Sequence, residues 1–136
     1  MWTHEESIDT QATAAQVWAL LSDVAGWKQW NAGVERIALH GPFASGTRFS
    51  MKPPGEEEFT SLLLDVRQNE GFTDETVLDG TCVRVYHEIA TQPSGATRIT
   101  YRTEITGPAA ADIGPMVTAD FADVLRALKQ RAEAAD

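Results

Sequence analysis

Residues 12–31 read ATAAQVWALLSDVAGWKQWN, and the change of period inside this stretch decides the fold. Thr13, followed three residues later by Gln16, fits a capping box, which satisfies the first free amides of a helix. Val17, Leu20, Leu21 and Val24 then recur at helical spacing, with Trp18 beside them. Ser22 or Asp23 stops this helix and caps a second, short one carrying Trp27 and Trp30 on one face. Asn31-Ala32-Gly33 ends it. Two tryptophans so close, with almost nothing else apolar between them, must cover something: an ordinary core or a cavity.

On the N-terminal side the period is two. Trp2, His4, Glu6, Ile8 and Thr10 share one face of a strand over residues 2–10. On the C-terminal side, residues 34 to about 107 read as strands. VERIALH (34–40) comes first, then a Gly/Pro-rich connection, then TRFSMK (47–52) with Phe49 and Met51 on one side. PPGEEE (53–58) is an acidic, solvated turn. FTSLLLDVRQ (59–68) follows, with Leu62, Leu64 and Val66 in register, and a shorter strand from Phe72 to Leu78 is closed by Asp79-Gly80.

CVRVYHEIAT (82–91) and TRITYRTEIT (97–106) flank a short turn containing Pro93 and Gly95. If residues 91 and 97 close the hairpin, Ile89 faces Ile99, His87 faces Tyr101, Val85 faces Thr103 and Val83 faces Ile105. The apolar faces of the two strands then coincide, as a half-buried sheet demands. Arg84, Glu88, Arg98, Arg102 and Glu104 fall on the solvated side. After Gly107-Pro108 the helical period returns, and Ile113, Val117, Phe121, Val124 and Leu128 form a stripe. This predicts a helix over at least 116–132, with Pro115 an early-turn proline or a kink.

The order is therefore strand, two short helices, about six strands and a long C-terminal helix, an α+β pattern in one domain spanning 1–136. One apolar sheet face and one amphipathic helix cover each other, and a gap between them becomes a concave pocket. The chain has 11 Lys and Arg against 20 Asp and Glu, a formal charge of −9, so nothing supplies a nucleic-acid surface. No integral membrane segment is visible. The polar start is no signal peptide, and a lone cysteine, Cys82, excludes an intrachain disulfide; a cytoplasmic protein is expected. His4, His40 and His87 make no metal-ligand spacing, and no motif calls for a metal or cofactor.

The 12–31 stretch resembles the helical signature of the START-like (Bet v 1-like) superfamily, in its polyketide cyclase/dehydrase and lipid-transport branch. Val17, Trp18, Leu21, Asp23, Trp27, Trp30 and Asn31 carry the match, with Thr13 where the family usually has proline. HEIATQPSGATRITYRTEITGP (87–108) is similar to the family's last hairpin, its Gly95-Ala96-Thr97-Arg98 one residue looser than the usual Gly-Thr-Arg. The resemblance implies a helix-grip fold: a curved seven-stranded antiparallel sheet wrapped around the C-terminal helix, with the two short helices after strand 1 closing one end. It also implies that Trp27 and Trp30 help close the narrow end or rim of a cavity, while Trp18 lies in the core.

Inward parity and the helix stripe place Phe49, Met51, Leu64, Val85, His87, Tyr101 and Phe121 around a pocket of roughly 300–1,000 Å³, with Trp30 near one end. The expected partner is a small hydrophobic or aromatic molecule, lipid- or polyketide-like, held by a monomer or homodimer. The alternative is a cyclase, aromatase or dehydratase. In that case His87, Tyr101 and Glu6, with His4, would approach one another if the first and last strands are neighbours, and act as acid and base. A histidine bonded to a tyrosine hydroxyl also serves as a satisfied polar pair without chemistry.

Overall fold

The computed structural model describes residues 1–134. The elements are β1 (Trp2–Thr10), α1 (Ala14–Leu21), a 3₁₀ helix (Val24–Gln29), β2 (Arg36–Leu39), β3 (Arg48–Lys52), β4 (Phe59–Arg67), β5 (Gly71–Leu78), β6 (Thr81–Thr91), β7 (Thr97–Thr106), α2 (Ala110–Thr118) and α3 (Phe121–Ala134). The seven strands form one antiparallel sheet in the order β1-β7-β6-β5-β4-β3-β2. This is the helix-grip arrangement, with the C-terminal helix against the concave face and the short helices after β1.

Local chemistry sets the helix ends. The Thr13 hydroxyl accepts from the Gln16 amide at 3.1 Å, and the Gln16 carboxamide accepts from the Thr13 amide at 2.8 Å. Ser22 ends α1, its amide and its hydroxyl both donating to the Trp18 carbonyl. Asp23 occupies the N-cap position of the 3₁₀ helix but makes no side-chain capping bond. The indole of Trp27 instead anchors that helix by donating to the Leu21 carbonyl at 3.0 Å.

The β6–β7 register is the one read from parity: His87 pairs with Tyr101, Ile89 with Ile99, Val85 with Thr103 and Val83 with Ile105. Between β5 and β6, Asp79 and Gly80 both take positive φ, at 49° and 80°, giving the tight two-residue turn that Asp-Gly favours. Strand β4 departs from expectation. Ser61 and Leu63 point into the protein, and Leu64 takes the outer side. Asp65 then adopts φ 47° in a bulge between Leu64 and Arg67, which turns Val66 back onto the core. Leu62 and Leu64 are thus out of phase with Val66, because the bulge inserts one residue between them.

The C-terminal helix covers the expected residues in two segments, parted at 119–120. Pro115 lies inside α2 and supplies no amide, and the Thr118 hydroxyl donates back to the Gly114 carbonyl at 3.1 Å. The proline removes one ladder bond early in α2, and the Thr118 bond competes with the ladder at the edge of the division. Phe121, Val124, Leu125, Leu128 and Ala132 of α3 are buried, and α3 packs on β1, β7 and α1. Trp2 of β1 lies flat on α2 where Gly114 removes the side chain; a Cβ there would stand 2.4 Å from the indole.

Candidate ligand cavity

A cavity of about 770 Å³ separates the sheet from α2 and the start of α3. Its sheet wall is built by inward residues of five strands: Phe49 and Met51, Ser61, Asp74 and Thr76, then Val83, Val85 and His87, with Tyr101 beyond. Period-two geometry explains the set, since these positions share the concave side. The helix wall is Ile113, Met116, Val117, Asp120, Phe121 and Val124, and Trp27, Asn31 and Gly33 close one side. The 53–59 loop, including Glu56, Glu57 and Glu58, frames the mouth with Leu78 and Met116. Leu78 is 45% and Met116 68% exposed, so the mouth has an apolar lip on an otherwise acidic edge.

Polar groups gather on one patch of the wall. His87 Nε2 donates to Asp74 Oδ2 at 2.7 Å, a bond between two nearly buried side chains. The imidazole stacks on Phe72 with centroids 4.2 Å apart and meets the Tyr101 ring edge-on at 4.5 Å. His87 Nδ1 is shut off from solvent and meets no hydrogen-bond partner among the described residues. Tyr101 is 5% exposed, and its hydroxyl meets no hydrogen-bond partner among the described residues. Burial pushes the Tyr101 phenol well above its ordinary range, and the charges of Asp74 and Asp120 add to the effect. The Asp120 carboxyl, half withdrawn from water, is likewise pushed up by desolvation and by Asp123. Ser61 and Thr76 satisfy each other, hydroxyl to hydroxyl at 2.5 Å.

The family described as polyketide cyclase / dehydrase and lipid transport matches residues 1–133. The chain belongs to this family. Solved structures share the START-like fold at low identity. Protein MLL2253 from Mesorhizobium loti superposes with a TM-score of 0.82 at 14% identity, covering 99% of each chain. A START superfamily protein from Mycobacterium smegmatis gives 0.77 at 14%, covering 98% of this chain and 99% of the other. Norcoclaurine synthase from Thalictrum flavum gives 0.73 at 16%, covering 95% and 84%. No functionally curated protein matches the chain in sequence.

For this family member, Phe49, Met51, Val85, His87, Tyr101 and Phe121 do stand on the cavity wall. Leu64 does not, because the β4 phase places it on the outer side. Trp30 does not either: it is buried in the core, and Trp27 takes the wall, with Phe49 edge-on at 5.6 Å and Phe72 stacked at 6.0 Å. Trp18 is half-buried, edge-on to Phe43 at 5.7 Å in a small surface cleft rather than in the deep core.

The four acid–base candidates divide into two groups. β1 does pair with β7, with Glu6 opposite Tyr101, yet His4 bonds Glu6 at 3.0 Å and neither lines the cavity. Phe121 touches both the His4 ring and the Tyr101 ring and stands between the groups. His87 bonds Asp74 rather than the Tyr101 hydroxyl. Asp74 and Asp120 were absent from the expected site. A signal for Asp74 existed: closing the Asp79-Gly80 turn pairs Phe72 with His87 and Asp74 with Val85, which puts Asp74 diagonal to His87 on the inner face. Asp120 had no comparable signal, because a helix break reorients it. Cys82 is half-buried, and burial together with Glu75 holds its thiol above the ordinary value, against a nucleophilic role. Among the described residues, no group of three His, Cys, Asp or Glu is placed to hold a metal ion, and no helix is long and apolar enough to cross a membrane.

Proposed function

We propose that this protein binds a small, largely apolar aromatic molecule, polyketide- or lipid-like in its ring or chain, inside the cavity. The observation that carries the proposal is the void itself. Small-molecule sites are concave, mostly apolar clefts of roughly 300–1,000 Å³, and here an open-mouthed cavity of about 770 Å³ is lined by Trp27, Phe49, Val85, Tyr101 and Phe121. A ligand filling it gains about 25 cal/mol for each Å² of apolar surface removed from water. Family membership supports a binding or cyclase role at the level of class.

The Asp74–His87 pair favours a second reading, acid–base catalysis of cyclase or dehydratase type. The geometry supports it less well. Nε2 is committed to Asp74, and Nδ1, the nitrogen left as base in the neutral ring, cannot reach a bound molecule. The test is fluorescence titration with neutral polycyclic probes such as phenylnaphthylamine, repeated with Val85→Trp. Binding should fall by about tenfold or more when the indole fills the void. Unchanged affinity would place the ligand elsewhere. Loss of turnover on an aromatic polyketide in His87→Gln, with affinity retained, would favour the catalytic reading.

A further inference from the structure

The charge on the cavity wall has one sign. Five carboxylates line it, Glu56, Glu57, Glu58, Asp74 and Asp120, and no Lys or Arg among the described residues does. Glu58 meets Arg36 at 3.3 Å on the exposed edge, and His87 can at most neutralise Asp74. Asp120 makes no ion pair among the described residues and lies against Gly33, whose missing side chain leaves room for its carboxylate. Tyr101, nine-tenths buried and with its hydroxyl unpartnered among the described residues, lines the same void and feels the charges of both inner carboxylates. A negative wall of this kind, exposed at the mouth and partly withdrawn from water at Asp74 and Asp120, repels a carboxylate or phosphate and attracts a cation, and the aromatic lining of Tyr101, Phe121 and Trp27 suits one too.

We infer that the cavity selects an aromatic amine in its ammonium form, the cation seated beside Asp120 and Asp74 against the Tyr101 hydroxyl and the ring lying along Phe49 and Val85. This rests on the reading of the cavity as a site for a small aromatic molecule and narrows it to one charge class. An ammonium offers donors to both carboxylates and to the phenol oxygen; the protein itself supplies only the His87 bond to Asp74 and a backbone amide to Asp120, and none of these brings a fixed positive charge to Asp120. A carboxylate in the same position meets like charge and no guanidinium or ammonium to receive it.

Calorimetric titration with naphthylethylamine, naphthylethanol and naphthylacetate, which share a ring and differ in charge, tests the inference at neutral pH. The amine should bind at least about tenfold tighter than the alcohol, with the acetate weakest, and added salt should narrow the gap. In Asp120→Asn, and further in Asp74→Asn/Asp120→Asn, the amine should weaken by about tenfold toward the alcohol while the alcohol is unchanged. Asp120→Asn keeps the inference testable if the double variant fails to fold. Equal binding of the three compounds, or tightest binding of the acetate, overturns the charge selection and leaves the cavity reading intact. Binding of none overturns both. An amine preference that survives in Asp120→Asn and in the double variant overturns the placement of the cation.

Discussion

Asp120 sits in the break between α2 and α3, half out of water, with no cation facing it among the described residues. Its folded-state carboxyl is raised above the ordinary value of 3.8, so ionisation is harder in the folded protein than in the unfolded chain. The sign follows from proton linkage: the cost is absent below about pH 3.8, appears as pH rises through the unfolded value, and is complete above the elevated folded value. Asp120→Asn should therefore raise Tm by about 2 °C at neutral pH and leave it unchanged near pH 3, as read by thermal melts across pH. A variant less stable at pH 7 than at pH 3, relative to the parent, would show that the carboxylate stabilises the break. Thr13 is the opposite kind of residue, its role fixed by a neighbour three positions along the chain. Thr13→Ala removes one side of the capping box and should cost about 1 kcal/mol in urea unfolding.

At the scale of elements, two glycines hold adjacent pieces in contact. Gly71 opens β5 at φ 146°, and a Cβ there would lie 2.2 Å from the His87 carbonyl oxygen. Gly71→Ala should cost several kcal/mol, on the order of 3, because the clash is with backbone and the conformation disfavours side chains. Near-ultraviolet circular dichroism should weaken with it, as His87 and Phe72 share that edge of the ladder. Gly114→Ala forces Trp2 off α2 and should destabilise by about 1–3 kcal/mol with a shift in tryptophan emission; unchanged emission would place the indole elsewhere. The β6–β7 hairpin was readable from parity and turn length alone, since a one-residue slip would turn every side chain over. The β4 phase was not. Asp65 reads as an ordinary polar position, and only pairing with β3 on one side and β5 on the other requires the bulge there.

For the molecule as a whole, the cavity is the quantity that couples stability to binding. A ligand that occupies it at a hundredfold excess over its Kd stabilises the folded state by about 2.7 kcal/mol, a Tm rise of about 5–15 °C for a chain of this size. In Val85→Trp the ligand-free protein should melt no lower than the parent, and the ligand-induced rise should vanish. A retained rise would mean that the void between sheet and helix is not where the molecule sits.

Composition, period and turn chemistry were enough to determine the α+β order, the capping box of α1, the hairpin register and the inward parity of Phe49, Met51, Val85, His87 and Tyr101. These are local properties: a capping bond spans three residues, and a strand's facing is settled by its own alternation and its nearest turn. Three-dimensional packing decided what depends on distant partners. It set Trp27 rather than Trp30 on the wall, left His4 and Glu6 behind Phe121 and apart from His87, and exposed Asp120 to the void by breaking the helix. Each of those positions is fixed by how one curved sheet closes around two helix segments, and that closure depends on side chains up to a whole chain length apart.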